Sequence, residues 1–420
     1  MASHHEQLQT VCGKPLKSIF LSKNMLTNKK ILVGITGSIA AYKTITLVRL
    51  LVKAGAEVKV VMTEAATQFA SPLVLSTLAK NKAIYKLSDE DAWSNHVELG
   101  RWANLFIIAP LSCNTLSKMA NGQCDNLLLA VYLSATCPVL VAPAMDEDMW
   151  HHPSTKRNLA LLQNDMVTTM PVGNGELASG LFGEGRMAEP EEIIAFIKEK
   201  YFRGNELAGK KVLVTAGPTY EAIDPVRFIG NHSSGKMGYA LAEIFYEKGA
   251  DVTLVSGPSP LTPAYPGINL QKVTSAQEMF SVVMENAKDA AIIIMAAAVS
   301  DYTPSTVFEN KLKKQTEELE LKLMKTKDIL HHLGTQKKPG QFIAGFALET
   351  NDEFANAQQK LLKKNADCII MNSLRDAGAG FGADTNTITI IDHNGHQSFP
   401  NKSKKEVATD IYNYIRQQID

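Results

Sequence analysis

Residues 30–63 read "KILVGITGSIAAYKTITLVRLLVKAGAEVKVVMT", and their pattern decides the fold. An apolar, β-branched run passes through Gly34 to Gly37, a stretch with helical spacing follows as far as Gly55, and "EVKVVMT" begins a second strand. Strand, tight turn, helix and strand in direct succession make one crossover unit of a parallel sheet. Apolar strands at "LFIIAP" (105–110) and "PVLVAPAM" (138–145), separated by helix-like segments, extend the unit, and the helical "PEEIIAFIKEKY" (190–201) closes it.

The polar, Gly-containing "FRGNELAGK" (202–210) interrupts the pattern, and "KVLVTAGPT" (211–219) restarts it. Helix then strand recur in "MGYALAEIFYEKGADVTLVSGP" (237–258), with further strands at "AAIIIMAAAVSD" (290–301), "QFIAGFALET" (341–350), "ADCIIMN" (366–372) and "TITIID" (387–392). The reading is α/β, with two doubly wound, Rossmann-like domains, each offering a ligand crevice at the carboxyl ends of its strands. The expected division is a loose extension over 1–28, a first domain over 29–201, a linker over 202–209 and a second domain over 210–420. Met25 is an alternative start of translation.

The chain of 420 residues is 45% apolar and 20% charged, and 43 basic residues balance 43 acidic ones. That composition fits a globular protein and gives no whole-chain electrostatic reason to expect nucleic acid or an anionic membrane. Cys12, Cys113, Cys124, Cys137 and Cys368 show neither a CxxC pair nor metal-finger spacing, which fits a reducing, cytoplasmic setting. The first 28 residues lack the apolar core of a signal peptide or membrane anchor.

"GITGSIAAYK" puts Gly34, Gly37 and Ser38 where a strand turns into a helix, a place where backbone amides, a helix dipole and a hydroxyl converge on phosphate. "APLSCNTLSKMANG" (109–122) repeats the device with Ser112, Asn114 and Thr115. Two such strand ends in one sheet point to a mononucleotide. Together with "NHVELGRWA" (95–103) and "PAMDEDMW" (143–150), these segments resemble the FMN-dependent cysteine decarboxylase family. The resemblance implies FMN bound by Gly37, Ser38, Thr63, Ser112, Asn114 and Thr115, with His96 as the catalytic histidine. An imidazole titrating near neutrality suits removal of a thiol proton. Oxidising the cysteinyl thiol to a thioaldehyde creates the electron sink that lets carbon dioxide leave.

Two positions depart from that family's commonest pattern. Asp146 stands where an Asn is expected to hold the substrate carboxylate, and two like charges about 4 Å apart repel by roughly 1 kcal/mol in water and about 4 at a half-buried site. Asp146 is therefore expected to share a proton with that carboxylate or to act through water. Ser179, in "ELASGLFGEGRMAEP" (176–190), replaces a cysteine of the family's substrate-covering flap and is a far weaker acid.

"GNHSSGKMG" (230–238) begins like a Walker loop but carries Met237 where the magnesium-binding hydroxyl belongs, and the preceding strand ends far upstream. With "AAAVSDY" (296–302), "KLKK" (311–314), "GFALET" (345–350) and "AGAGFGADTN" (377–386), it resembles instead the ligase that joins cysteine to 4′-phosphopantothenate. That family's bacterial form activates the acid with CTP to an acyl-cytidylate, releasing pyrophosphate, and cysteine's amine then displaces CMP. The resemblance implies a nucleotide site framed by Met295, Ala296, Ala297, Asp301, Lys311, Phe346, Lys360, Lys364 and the stretch Lys327, Asp328, Ile329 and Leu330, with Asn231 holding the acyl intermediate. Lys311, Lys360 and Lys364 would neutralise triphosphate charge, and a divalent ion, Mg2+, would arrive with CTP through ligands of its own.

The whole chain thus resembles the bifunctional decarboxylase–ligase family of coenzyme A synthesis. Small-molecule substrates and a homo-oligomer follow by resemblance, because flavin sites in this family lie at subunit interfaces. Two other readings stand beside it: a flavin half that decarboxylates peptide cysteine, and a non-catalytic, regulatory flavin half.

Overall fold

The computed structural model describes residues 25–89, 92–93, 95–313, 319–349, 353–373 and 383–419. The first half is built on five parallel strands: β1 (Lys30–Ile35), β2 (Glu57–Met62), β3 (Leu105–Leu111), β4 (Val139–Pro143) and β5 (Thr168–Thr169). They lie in the order β2-β1-β3-β4-β5. This is the flavodoxin-like order, whose direction of winding reverses between β1 and β3 and opens a crevice there. β3 and β4 are buried along their whole length because helices cover both faces of the sheet.

The main sheet of the second half has eight strands among the described residues: β6 (Lys211–Ala216), β7 (Asp251–Ser256), β8 (Asn269–Lys272), β9 (Ile292–Met295), β10 (Phe342–Glu349), β11 (Cys368–Ser373), β12 (Thr385–Asp392) and β13 (His396–Ser403). Their order is β8-β7-β6-β9-β10-β11-β12-β13, the Rossmann arrangement with its reversal between β6 and β9. The last two strands extend the sheet by antiparallel pairing, β12 against β11 and β13 against β12. β13 escapes a sequence reading because Pro400 interrupts its pattern, and an edge strand tolerates a residue without an N–H.

Residues 25–28, counted with the extension from sequence, form a turn. Met25 is packed in the core of the second half while Leu26, fully buried, belongs to the core of the first. Phe202, at the start of the expected linker, packs against both cores. Leu207 is buried in the second core, so the segment 202–209 is docked along its length rather than spanning open solvent.

In the second half, β6 does not turn directly into its helix. A short hairpin (Tyr220–Ala222 with Phe228–Gly230) intervenes before the helix Lys236–Glu247. Gly238 then lets that helix press onto β6, since a Cβ there would sit 2.6 Å from the Cβ of Ala216.

Candidate functional site

At the β1/β3 reversal the two strand ends are tied together. The Thr36 hydroxyl, fully buried, donates to Pro110 O at 2.7 Å and accepts from Ser112 N at 2.9 Å. Ser38 accepts from Ala40 N at 3.3 Å, Thr63 from Ala66 N at 3.3 Å and Ser112 from Thr115 N at 3.4 Å, so three strand ends each cap the turn that follows. A cleft of about 850 Å3 opens above them, lined by all six residues expected at a flavin: Gly37, Ser38, Thr63, Ser112, Asn114 and Thr115. Its volume is within the usual range for cofactor sites. Gly37 borders it because a Cβ there would come within 2.9 Å of the Ala65 Cβ.

Sequence reasoning missed Tyr85, Lys86 and Asn126, which line the cleft from connections, and Lys118, which lines it from the helix Cys113–Ala120 within the 109–122 motif. Lys118 forms an ion pair with Asp125 at the cleft's edge, and its hydrogen bond holds the Asp125 carboxyl below the usual carboxylate range.

A second cleft of about 730 Å3 shares Ser38, Ala144 and Met145 with the first and contains both departing residues, Asp146 and Ser179. Asp146 caps the helix Glu147–His151, accepting from Glu147 N at 2.8 Å. Ser179 is exposed at the tip of a hairpin formed by Gly173–Glu176 and Phe182–Arg186, where its oxygen accepts from Leu181 N at 3.4 Å. The hairpin is fastened to the "PAMDEDMW" segment by Met145 N donating to Gly185 O at 3.1 Å and by the Trp150 indole donating to Glu184 at 3.0 Å. The expected flap thus has a hairpin to carry it.

His96 begins the helix His96–Trp102, capped by Asn95, and is half-buried. It lines neither cleft of its own chain.

In the second half, Asn231 Nδ2 donates to Ala298 O at 3.1 Å and Val299 O at 3.2 Å, joining the "NHSSGKMG" loop to the end of β9. Ala297 N donates to Thr215 at 3.1 Å, which closes the β6/β9 reversal. Met295, Ile329 and Leu330 are core residues packed together, with Ala297 against them, while Ala296 and Phe346 pack on the other core of this half. Asp328 caps the helix Ile329–Thr335 and pairs with Lys364. Burial opposes ionisation of Asp328, but that ammonium and the His331 amide outweigh it and lower its pKa. Lys360 donates to Phe346 O at 2.8 Å. Phe346, Asp328, Lys360 and Lys364 therefore gather around β10, whereas Lys327 extends over the Phe280 ring at 4.7 Å. Asp301 is exposed, its carbonyl receiving Thr326 N at 3.0 Å. Lys311 is also exposed. Lys314 and most of "AGAGFGADTN" lie outside the described residues.

Asp224, buried and unremarked in the sequence, anchors this region. It accepts from Val226 N and Arg227 N at 2.8 Å each, from Arg227 Nε at 2.9 Å, and from Leu312 N at 3.1 Å, beside Lys311. The only sequence signal was an Asp three residues before an Arg across a proline turn. Lys236 pairs with Asp384 at 2.6 Å, which further separates it from the role of a Walker lysine.

Two family models match the chain. Residues 19–202 match the model described as Flavoprotein, and residues 207–419 match the DNA/pantothenate metabolism flavoprotein C-terminal domain. A protein from an unknown prokaryotic organism, named cysteine/cysteine sulfinic acid decarboxylase, is 51% identical over 82% of this chain and 98% of its own length. The coenzyme A biosynthesis bifunctional protein CoaBC of Haemophilus influenzae is 44% identical over 93% of this chain and 98% of its own. The protein of the same name from Bacillus subtilis is 44% identical over 93% and 97%. The chain belongs to the family of the coenzyme A biosynthesis bifunctional proteins.

Proposed function

We propose that the chain performs two consecutive steps of coenzyme A synthesis. Its second half joins 4′-phosphopantothenate to cysteine at the expense of CTP, through an acyl-cytidylate, and its first half decarboxylates the 4′-phosphopantothenoylcysteine so formed to 4′-phosphopantetheine. The observation that carries this reading is the convergence of six separately expected flavin residues on one cleft, with Asp146 and Ser179 in the cleft that adjoins it.

The residues fit FMN: hydroxyls and helix-start amides face a space bordered by Gly37, where a side chain would collide with Ala65. Bound FMN would supply a two-electron acceptor and donor. Ser38, Ser112 and Thr115 would hold it, and the hairpin carrying Ser179 would cover the substrate and exclude water. His96 would take the thiol proton; because it lies outside both clefts of its own chain, we assign it to the cleft of a second copy in a homo-oligomer.

In the second half, Asn231 would hold the acyl intermediate, and Lys311, Lys360 and Lys364 would neutralise phosphate charge. Mg2+ would be carried chiefly by the triphosphate. No helix among the described residues is long and apolar enough to cross a membrane. We assign the protein to the cytoplasm on its cysteine usage.

The test is direct: purified protein should show a flavin spectrum and, given 4′-phosphopantothenate, cysteine, Mg2+ and CTP, release pyrophosphate and then carbon dioxide. Pyrophosphate without carbon dioxide leaves only the ligase. Equal rates with ATP refute the CTP assignment.

One observation favours a second substrate. Asp146 offers a carboxylate to the cleft, and the free ammonium of unacylated cysteine would pair with it, whereas an N-acyl cysteine has no ammonium. Release of cysteamine from cysteine without phosphopantothenate or nucleotide would establish that activity.

A further inference from the structure

The second cleft contains a cation that neither the family motifs nor the sequence reading assigned. Arg186, at the end of the flap hairpin, lines the cleft together with Asp146, Ser179 and Glu176. Lys43 lines the same cleft but is only 7% exposed, and its Nζ donates to Met187 O at 2.9 Å and to Glu189 Oε1 at 2.7 Å. Arg186 reaches the same Glu189 oxygen only at 3.7 Å, beyond hydrogen-bond length.

The arrangement is informative because a buried ammonium needs a close partner. Lys43 takes Glu189 as that partner and neutralises it, so the carboxylate that Arg186 approaches at 3.7 Å is already engaged. The guanidinium keeps its charge available to the cleft, and its stem is held by close packing on Gly175, where a Cβ would fall 2.8 Å from Nη1. A planar, permanently charged fork at the mouth of a cleft suits a carboxylate. Asp146 cannot do this work, since it carries the wrong sign and commits one oxygen to capping a helix.

We infer that Arg186 receives the carboxylate that the substrate later loses, and that Lys43 is a positioning residue that keeps Glu189 from capturing Arg186. This rests on the decarboxylase reading above. It also resolves the Asp146 anomaly: the carboxylate is recognised from the flap side of the cleft rather than from position 146. The carboxylate keeps its charge through the thiol oxidation that precedes its loss, so the contact is equally strong in the ground state and in the transition state of that step. It should therefore appear in KM rather than in kcat.

The test uses the full-length, flavin-loaded protein and two unreactive ligands: S-methyl-4′-phosphopantothenoylcysteine and its decarboxylated counterpart, S-methyl-4′-phosphopantetheine. They differ only in the carboxylate. By calorimetry the natural protein should bind the carboxylated ligand about 10- to 100-fold more tightly, the range set by one charge-assisted contact. Arg186→Gln should abolish that preference, raise KM by a similar factor and leave kcat and ligase turnover unchanged, while Arg186→Lys recovers part of it. Lys43→Met should weaken binding of the carboxylated ligand, and Glu189→Gln in the same chain should restore it.

If Arg186→Gln weakens both ligands equally, the guanidinium serves the phosphate and the inference is wrong; it is equally wrong if neither ligand is affected. If Lys43→Met does not fold, Glu189→Gln alone must leave the preference intact, and its loss overturns the role given to Lys43. Failure of the natural protein to decarboxylate its substrate overturns the functional reading itself, an outcome distinct from normal turnover by Arg186→Gln.

Discussion

Gly185 offers a sharp test of whether the hairpin acts as a flap. Its φ is +129°, and a Cβ added there would stand 2.3 Å from Met145 O, a backbone atom that cannot swing aside. A carbon next to a carbonyl oxygen needs about 3.3 Å, so Gly185→Ala must drive the strand back by about 1 Å. The displaced bond, Met145 N to Gly185 O at 3.1 Å, is one of those that fasten the hairpin beside Asp146. A 1 Å misplacement of a positioning element costs on the order of 10²-fold in rate. Backbone strain at a positive φ adds about 1–3 kcal/mol to the loss of stability. Gly185→Ala should therefore lower kcat/KM for carbon dioxide release from preformed 4′-phosphopantothenoylcysteine about a hundredfold and leave pyrophosphate release by the other half within about twofold. Gly183→Ala is the control: its Cβ would meet the Glu147 carboxylate at 2.2 Å, the movable end of a side chain, so its effect should be much smaller. Decarboxylation at the natural rate by Gly185→Ala, in protein that retains its flavin, would refute a flap role for the hairpin.

Asn231→Asp removes the amide that donates to Ala298 O and Val299 O and places a carboxylate against two carbonyls. The acyl-cytidylate should still form while its capture by cysteine slows at least tenfold, so quenched reactions should accumulate it; normal turnover would remove Asn231 from the chemistry. Asp146→Asn keeps the helix cap but deletes the charge, and it should tighten binding of the carboxylated ligand and alter the pH dependence of that binding. An unchanged affinity and pH profile would mean that Asp146 does not sense the substrate's charge. Ser179→Cys should leave the rate of carbon dioxide release unchanged and raise the fraction of product fully reduced; mass spectrometry reads the unsaturated form as two mass units lighter. Asp224 supplies the pH prediction: burial opposes its ionisation, but the Arg227 guanidinium and the amides of Val226, Leu312 and Arg227 overcome this and hold its pKa below the ordinary 3.8. With the folded pKa depressed, its contribution to stability is complete above pH 3.8 and is lost as the pH falls through the lower, folded value. Asp224→Asn should therefore melt earlier at neutral pH, and the difference in Tm should shrink below about pH 4; a gap constant down to pH 2 would contradict this.

The strand, turn and helix of residues 30–63 were legible because each level agreed: an apolar run, Gly and Ser at the strand end, helical spacing and a Gly stop. Ser38, Thr63 and Ser112 could be placed on one cleft for the same reason, being strand-end hydroxyls whose capping work is local. What escaped was non-local. Asp224 joins a proline turn to Leu312 across 88 residues, and Lys43 meets Glu189 across 146, and no periodicity encodes either contact. The segment "GNHSSGKMG" was ambiguous because a helix start that receives an acyl intermediate and one that grips a triphosphate draw on the same residue types. The inserted hairpin separates the segment from β6, places Asn231 on the β9 connection and leaves Lys236 paired to Asp384, an arrangement unlike that of a Walker loop.

Asp146 shows why the departing residues could change without disturbing the fold. At a helix N-cap Asp and Asn are nearly equivalent, because either side-chain oxygen accepts the amide bond that Glu147 N makes here. The structural requirement at position 146 is thus met by one oxygen, and the other group on the same carbon is left for the ligand: an amide donor in one case, an anion in the other. Ser179 is similar, since its oxygen forms a local turn at an exposed tip, a bond that no neighbouring core depends on. Lys43 is the opposite case. A buried ammonium tied to Glu189 cannot be exchanged alone without leaving a charge uncompensated. Lys43 is thus fixed by its burial beside Glu189, while the core of the fold makes little demand on positions 146 and 179. Under the proposed decarboxylase reading, substrate preference would shift at those two positions with little effect on the fold.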